Sequence, residues 1–385
     1  MFSARLLKEG HCKQSAWRNI RVVGDFSRWL ARKGIVAEDI NDDIVNRYMR
    51  FRARHRHPFL SDRPALNRLL AVLREIEVIA PKRTASPTPH ERIVEDFRRH
   101  LAQCGGYGRR TIITHLPTLR RFLAECRPDG ASFQKLTAAD ITGFIVRHAS
   151  KQSTRSTQRE CWTLRTFLRY LRYKDLIDAD LTDAVPSIRS WRFSSVPQYL
   201  SPAQVKKVLC AVDRTTALGR RDYAVLLLLA RLGLRASEVA TLCLGDIDWQ
   251  SGQLTIHGKG RQRARMPLPT DVGAAIAEYL HRSRPRSESR RVFLRERAPH
   301  IGFSSGTNVT SIARTALARA GVTAPHKGAH IFRHSLATQL IRAGASLTEI
   351  GQLLRHRSQD STRLYAKVDL NSLRALAMRW PGGAP

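Results

Sequence analysis

Acidic residues are scarce in this chain: 32 Asp and Glu stand against 66 Lys and Arg over 385 residues, a formal charge of +34. A field of that sign attracts polyanions, so nucleic acid is the leading partner, although ribosomal, membrane-surface and simply Arg-rich proteins share such a balance. Cysteine is sparse and scattered. The six residues Cys12, Cys104, Cys126, Cys161, Cys210 and Cys243 include no C-x-x-C pair, which excludes a disulfide framework and a zinc knuckle and fits a reducing cytoplasm. Long apolar runs are missing as well. The longest, residues 224–230, is about two helical turns, far below the roughly 20 residues of a membrane span. The N-terminus does not read as a signal peptide, and no aromatic RNP-like strand supports an RNA-binding fold.

What is present is mostly helical periodicity. In residues 1–80, Ile20, Val23, Phe26, Trp29 and Leu30 recur at helical spacing, and Asn41-Asp42-Asp43 opens a second helix through Val45 and Tyr48. A breaker-rich stretch, 81–90, reads as a linker. From 91 to 190 the order of elements repeats: an amphipathic helix through Leu116, Leu119, Phe122 and Leu123, a capped start at Thr137 to Asp140, then a helix from Trp162 to Leu171 with basic residues between apolar ones. Such an order fits a diverged duplication of one helical unit, and equally two independent four-helix units.

After a second linker, 191–200, the box Ser201-Pro202-Ala203-Gln204 starts a new domain, 201–385. The segment from Asp248 to Ile256, followed by His257-Gly258-Lys259-Gly260 and by Arg263, Arg265 and Met266, predicts a small antiparallel sheet in an otherwise helical domain. The expected fold class is therefore mainly α with one small antiparallel β-sheet.

Four segments of the last domain carry chemistry. Arg235 and Glu238 in Leu232-Gly233-Leu234-Arg235-Ala236-Ser237-Glu238 sit three apart at a helix start, where a carboxylate can fix a guanidinium fork; alone, such a pair reads as a surface ion pair. Lys259, at the hairpin tip, is the only lysine between Lys207 and Lys327, and an amine can surrender a proton where guanidinium cannot, which suits a general acid. On the helix through Ala329 to Thr338, His330 and Arg333 share a face and aim a proton acceptor and a phosphate clamp at one point. His330 and His334 are spaced like a zinc pair, but the Glu of H-E-x-x-H and a third ligand are lacking, so no metal is expected. Ser346-Leu347-Thr348-Glu349 caps a helix reaching about His356, and Tyr365 follows nine residues later. A phenol with a free pKa of about 10 needs a base and a cationic pocket to attack phosphate, and these neighbours supply both.

The ordered set Arg235 to Glu238, Lys259, His330 to His334, and Leu353-Leu354-Arg355-His356 followed by Tyr365 closely resembles the tyrosine recombinase (phage integrase) family from Ser201 to the end. The resemblance implies a helical, SAM-like core-binding domain ahead of a catalytic domain, the two clamping duplex DNA, and a reaction without metal, cofactor or ATP. In it Tyr365 is the nucleophile, Arg235 and Arg333 neutralise the phosphate, Lys259 protonates the leaving oxygen, His330 assists proton removal, His356 donates to a phosphate oxygen and Glu238 buttresses Arg235. It further implies action at recombination sites of a mobile element, in integration, excision or transposition, at the bacterial nucleoid. The tail stripe Leu370, Leu373, Leu376 and Trp380 would dock on a neighbour in a tetramer on two duplexes, with or without partner recombinases, or else fold back on its own domain. One departure is Arg355, where the family commonly has Gly. Alternatives are a type IB topoisomerase-like enzyme and a non-catalytic DNA-binding accessory protein.

Overall fold

The computed structural model describes residues 1–55, 57, 59–81, 88–127, 132–189, 198–258, 263–324, 327–355, 362 and 365. It divides into two compact units, one formed by residues 81–192, the other by 1–80 together with 193–385.

Four helices make up the first 80 residues: α1 (Phe2–Lys8), α2 (Lys13–Arg32), α3 (Asp42–His55) and α4 (Asp62–Glu75). Asn41 opens α3, its side-chain oxygen accepting the backbone N–H of Asp43 and of Ile44 at 3.0 Å each. Phe26, Trp29, Val45, Tyr48, Leu66 and Leu70 form the core. Of the stripe expected on α2, Phe26, Trp29 and Leu30 are buried and Val23 is half-buried, whereas Ile20 is 43% exposed; Ala16, Asn19 and Val22 complete the inward face. The backbone N–H of His300, far along the chain, donates to the Glu9 carbonyl at 3.3 Å, so this bundle packs on the C-terminal part of the chain.

Residues 81–192 hold α5 (Pro89–Gln103), α6 (Arg109–Cys126), α7 (Ala138–Ala149) and α8 (Thr154–Tyr173). Thr137 and Asp140 form a complete capping box on α7. Phe97 meets Phe167 edge-on at 5.3 Å, and Phe122 meets Phe144 at 5.2 Å, an arrangement that aromatic quadrupoles favour.

The C-terminal part comprises α9 (Pro202–Cys210), α10 (Ala217–Leu232), α11 (Ala236–Thr241), strands β1 (Ile247–Asp248), β2 (Gln253–His257) and β3 (Arg263–Pro267), then α12 (Thr270–Arg282), α13 (Gly306–Arg319), α14 (His330–Arg342) and α15 (Leu347–Leu353). Helix α10 holds the apolar run, with Ala224 to Leu229 all buried; a segment apolar on every side must be central. The three strands pair antiparallel in the order β1-β2-β3, Leu254 opposite Met266 and His257 opposite Arg263. Period-two alternation puts Leu254 and Ile256 into the core. All six cysteines are free thiols. Among the described residues no helix is long and apolar enough to cross a membrane.

Candidate active site

The site begins where α10 stops. Gly233 caps that helix in the left-handed conformation, φ +56°, and a β-carbon there would lie 2.7 Å from Cδ2 of Leu354. Backbone and space both demand glycine. The turn delivers Arg235 to the N-cap of α11 with Glu238 at its third helical position. Glu238 accepts the Arg235 backbone N–H and its Nη1, each at 2.8 Å. At 4% exposure its carboxylate is no surface partner.

A second guanidinium shares that carboxylate. Arg355 Nη2 donates to Glu238 Oε2 at 3.0 Å, while the Arg355 carbonyl accepts Arg235 Nη2 at 3.2 Å. Its Nη1 lies 3.3 Å from Met266 Sδ, which ties the root of the β2–β3 hairpin to the site. Arg355 has φ +54°, the left-handed region in which glycine is at ease. The arginine thus stands where the family's glycine is expected, held there by Glu238. Burial pushes the Glu238 carboxyl up, but the Arg235 amide and the charges of Arg355 and Arg235 outweigh it and hold the group below the usual range.

Helix α14 supplies the rest. Arg333 is 2% exposed, its Nη1 donating to the Gly233 carbonyl at 2.6 Å and its Nη2 to the Leu354 carbonyl. Two main-chain oxygens, from the ends of α10 and α15, therefore fix this guanidinium. Burial, reinforced by Arg235 and Arg355, pushes its pKa down to about 10, so it remains a cation at neutral pH. His330 is exposed, yet the protein around it strips water from the ring and Arg333 and Arg235 repel a proton there, so its pKa is lowered, which favours the neutral imidazole that a proton acceptor requires.

Tyr365 is buried, 2% exposed, among Ala337, Ile341, Ile350 and Leu354. Its hydroxyl is hydrogen-bonded to His334 Nδ1 at 2.9 Å. Burial pushes the phenol pKa up, and Arg333 and Arg235 act against that rise. The His330 ring stands edge-on to His334 with centroids 4.8 Å apart. Arg235, Glu238, His330, Arg333 and Tyr365 are thus brought together. Lys259, His356 and the tail stripe from Leu370 to Trp380 lie outside the described residues. Sequence reasoning missed the contact between His334 and the phenol; two histidines four apart on one helix, flanking an arginine, were its only signal.

Model matches to known families follow the same division. The phage integrase family matches residues 198–371, and that family's N-terminal SAM-like domain matches 94–174. A Sinorhizobium fredii protein named as an integrase/recombinase is 44% identical over 100% of this chain and 94% of its own length. The chain belongs to the phage integrase family. The tyrosine recombinase XerC of Oceanobacillus iheyensis is 30% identical over 66% of this family member and 84% of its own length. Among solved structures, XerH recombinase bound to a palindromic difH substrate aligns with TM-score 0.58 at 15% identity, covering 77% of this chain and 98% of that one. A lambda integrase tetramer bound to a Holliday junction aligns with TM-score 0.54 at 16% identity, covering 71% and 76%. At such identities the likeness is one of fold: an integrase fold, with its SAM-like domain, accounts for the helical architecture and the small sheet.

Proposed function

We propose that this chain is a site-specific recombinase that cuts and rejoins duplex DNA of a mobile element through Tyr365. The Tyr365 oxygen attacks the scissile phosphorus in line; a phosphotyrosyl bond forms at the 3′ side, and the bond to the 5′ oxygen breaks. Lys259 protonates that leaving oxygen. Arg235 and Arg333 bind the non-bridging oxygens as charge grows in the transition state, and preoriented cations there lower the barrier because they need not reorganise. Glu238 keeps Arg235 in register, His356 donates to a phosphate oxygen, and no metal or cofactor enters. The covalent bond conserves the phosphodiester energy, so a second 5′ hydroxyl reverses the step without ATP.

The observation that carries this reading is the Tyr365 hydroxyl against His334 Nδ1 in the same cluster as the buried Arg333. With Nδ1 unprotonated, the phenol O–H donates to His334, the nearest base. His330, biased toward its neutral form, is the second acceptor and takes its part once phosphate is bound. A tetramer on two duplexes follows for a strand-exchanging integrase, and the lambda integrase tetramer on a Holliday junction is the precedent of fold for it.

The test incubates the full chain with nicked duplexes carrying candidate sites and looks for a DNA adduct that survives SDS. Tyr365→Phe abolishes the adduct; an adduct that persists in it reassigns the nucleophile. His334→Ala slows adduct formation at least as much as His330→Ala does, and full-rate cleavage in His334→Ala removes that histidine from the proton path. Plasmid relaxation with no strand exchange replaces the recombinase reading by a topoisomerase one.

A further inference from the structure

The first 80 residues lie outside both family matches, yet they repeat the SAM-like unit position by position. A constant step of 96 residues carries the start of α2, Lys13, onto the start of α6, Arg109, and the 3-10 turn Ala37–Asp39 onto Phe133–Lys135. The same step pairs Ala16 with Ile112, Asn19 with His115, Val22 with Thr118, Phe26 with Phe122, Ile40 with Leu136, Val45 with Ile141 and Tyr48 with Phe144, and every one of these residues is buried. After a two-residue difference in the next loop, Asp62, Leu66 and Leu70 fall on Glu160, Leu164 and Leu168, again all buried. Two unrelated bundles would not keep one register through two helices and the turn between them.

The solvent faces differ, and there the first copy carries something its core does not need. Arg47, Arg50 and Arg54 are exposed on one face of α3, at i, i+3 and i+7, a row about 10 Å long at 1.5 Å per residue. The matching positions are Gly143 and Val146 on α7 and Ser150 at its C-cap. Five of the nine carboxylates of this bundle are engaged elsewhere: Asp25 and Asp62 hold the buried Arg52, Glu9 holds Arg5 and Arg68, Asp42 holds Arg74, and Glu75 holds Arg5; Glu38, Asp39, Asp43 and Glu77 make no ion pair among the described residues. Among the described residues none of the three exposed arginines has an ion-pair partner. A row of like charges at helical-neighbour spacing repels itself. A duplex carries one charge per about 1.7 Å of axis, enough phosphates along such a row to neutralise all three.

We propose that residues 1–80 are a second SAM-like unit and that Arg47, Arg50 and Arg54 bind the phosphate backbone of duplex DNA. This rests on the reading of the chain as a DNA recombinase, and the experiment separates the two. The affinity of the full chain for duplex DNA is measured from about 50 to 200 mM salt, against the triple variants Arg47→Gln/Arg50→Gln/Arg54→Gln and Arg47→Lys/Arg50→Lys/Arg54→Lys. Loss of three phosphate contacts lowers the slope of log K against log salt by about 2.7, so over that range the wild type weakens roughly 40-fold more than the Gln variant. The Lys variant keeps the wild-type slope, which separates lost charge from lost folding. Equal slopes for wild type and the Gln variant overturn the proposal while leaving the Tyr365 adduct untouched. A Gln variant weakened only on single-stranded RNA overturns it too, and a wild type that gives no Tyr365 adduct overturns the recombinase reading instead.

Discussion

Replacing Glu238 by Gln tests the electrostatic design of the site most directly. The carboxylate accepts three hydrogen bonds, from the Arg235 amide, from Arg235 Nη1 and from Arg355 Nη2 at 2.8, 2.8 and 3.0 Å. Gln keeps one good acceptor and points an NH2 at a donor, so at least one bond to a charged group is lost and two guanidinium groups lose their counter-charge. Arg235 is about a third exposed on its side chain and is screened by water, whereas Arg355 at 15% is not. Breaking a buried pair costs about 3–5 kcal/mol; discounting the exposed half leaves about 3 kcal/mol, or roughly 6 °C or more in Tm. Thermal and denaturant unfolding of wild type and Glu238→Gln read this out. The pH dependence has a fixed sign, because the Glu238 pKa is depressed in the fold: its contribution is present above the unfolded carboxyl pKa of about 4.3 and is lost as pH falls through the lower folded value. The gap between wild type and variant is therefore flat at neutral pH and closes in acid. The variant also binds DNA more tightly, having lost a negative charge beside the phosphate site, while it cleaves more slowly because Arg235 is unheld. A stability loss below about 0.5 kcal/mol, the level of an ordinary surface substitution, would refute the account of Glu238 as a buried keystone.

Two further substitutions probe the backbone around the arginines. Gly233→Ala meets Leu354 Cδ2 at 2.7 Å in a left-handed conformation, an expected loss of about 2–3 kcal/mol from strain and overpacking; urea unfolding measures it, and cleavage falls further than stability does, because the Gly233 carbonyl orients Arg333. Arg355→Gly relieves about 1 kcal/mol of left-handed strain but strips Glu238 of a buried partner, so the net outcome is a loss of about 1–2 kcal/mol by the same unfolding assay; a net gain would mean that the arginine is only tolerated at its turn.

Much of the site was legible because its signals are local. Arg235 and Glu238 face one another through a helix start, His330 and Arg333 through one turn of α14, and the capping boxes at Ser201, Thr137 and Ser346 all form, since each depends on neighbours three or four residues apart. What escaped the sequence depends on distant chain. The side chain of Arg355 is defined by Glu238, 117 residues away, and Arg333 by a carbonyl 100 residues away. Periodicity likewise oriented only the later part of α2: Phe26, Trp29 and Leu30 turn inward as expected, whereas packing against α4 and its neighbours buries Val22 and leaves Ile20 exposed. His330 and His334 are equivalent by spacing, and only the position of Tyr365 distinguishes them.

The same long-range contacts explain why the cluster is built at a cost to the fold. Three arginines, Arg235, Arg333 and Arg355, converge with one carboxylate, and the drop of the Arg333 pKa to about 10 registers both burial and that mutual repulsion. Hydrophobic packing gains nothing from such an arrangement, because a buried cation held by carbonyl oxygens is dearer than an apolar side chain of the same volume. In the proposed reaction the surplus charge becomes favourable when the monoanionic DNA phosphodiester is met by guanidinium forks already in place. On the proposed mechanism, binding relieves that repulsion as it aligns the phosphorus, with His334 Nδ1 already 2.9 Å from the Tyr365 hydroxyl. Under that proposal, stability given up in the fold is recovered as transition-state binding, which is the direction in which preorganised cations accelerate a phosphoryl transfer.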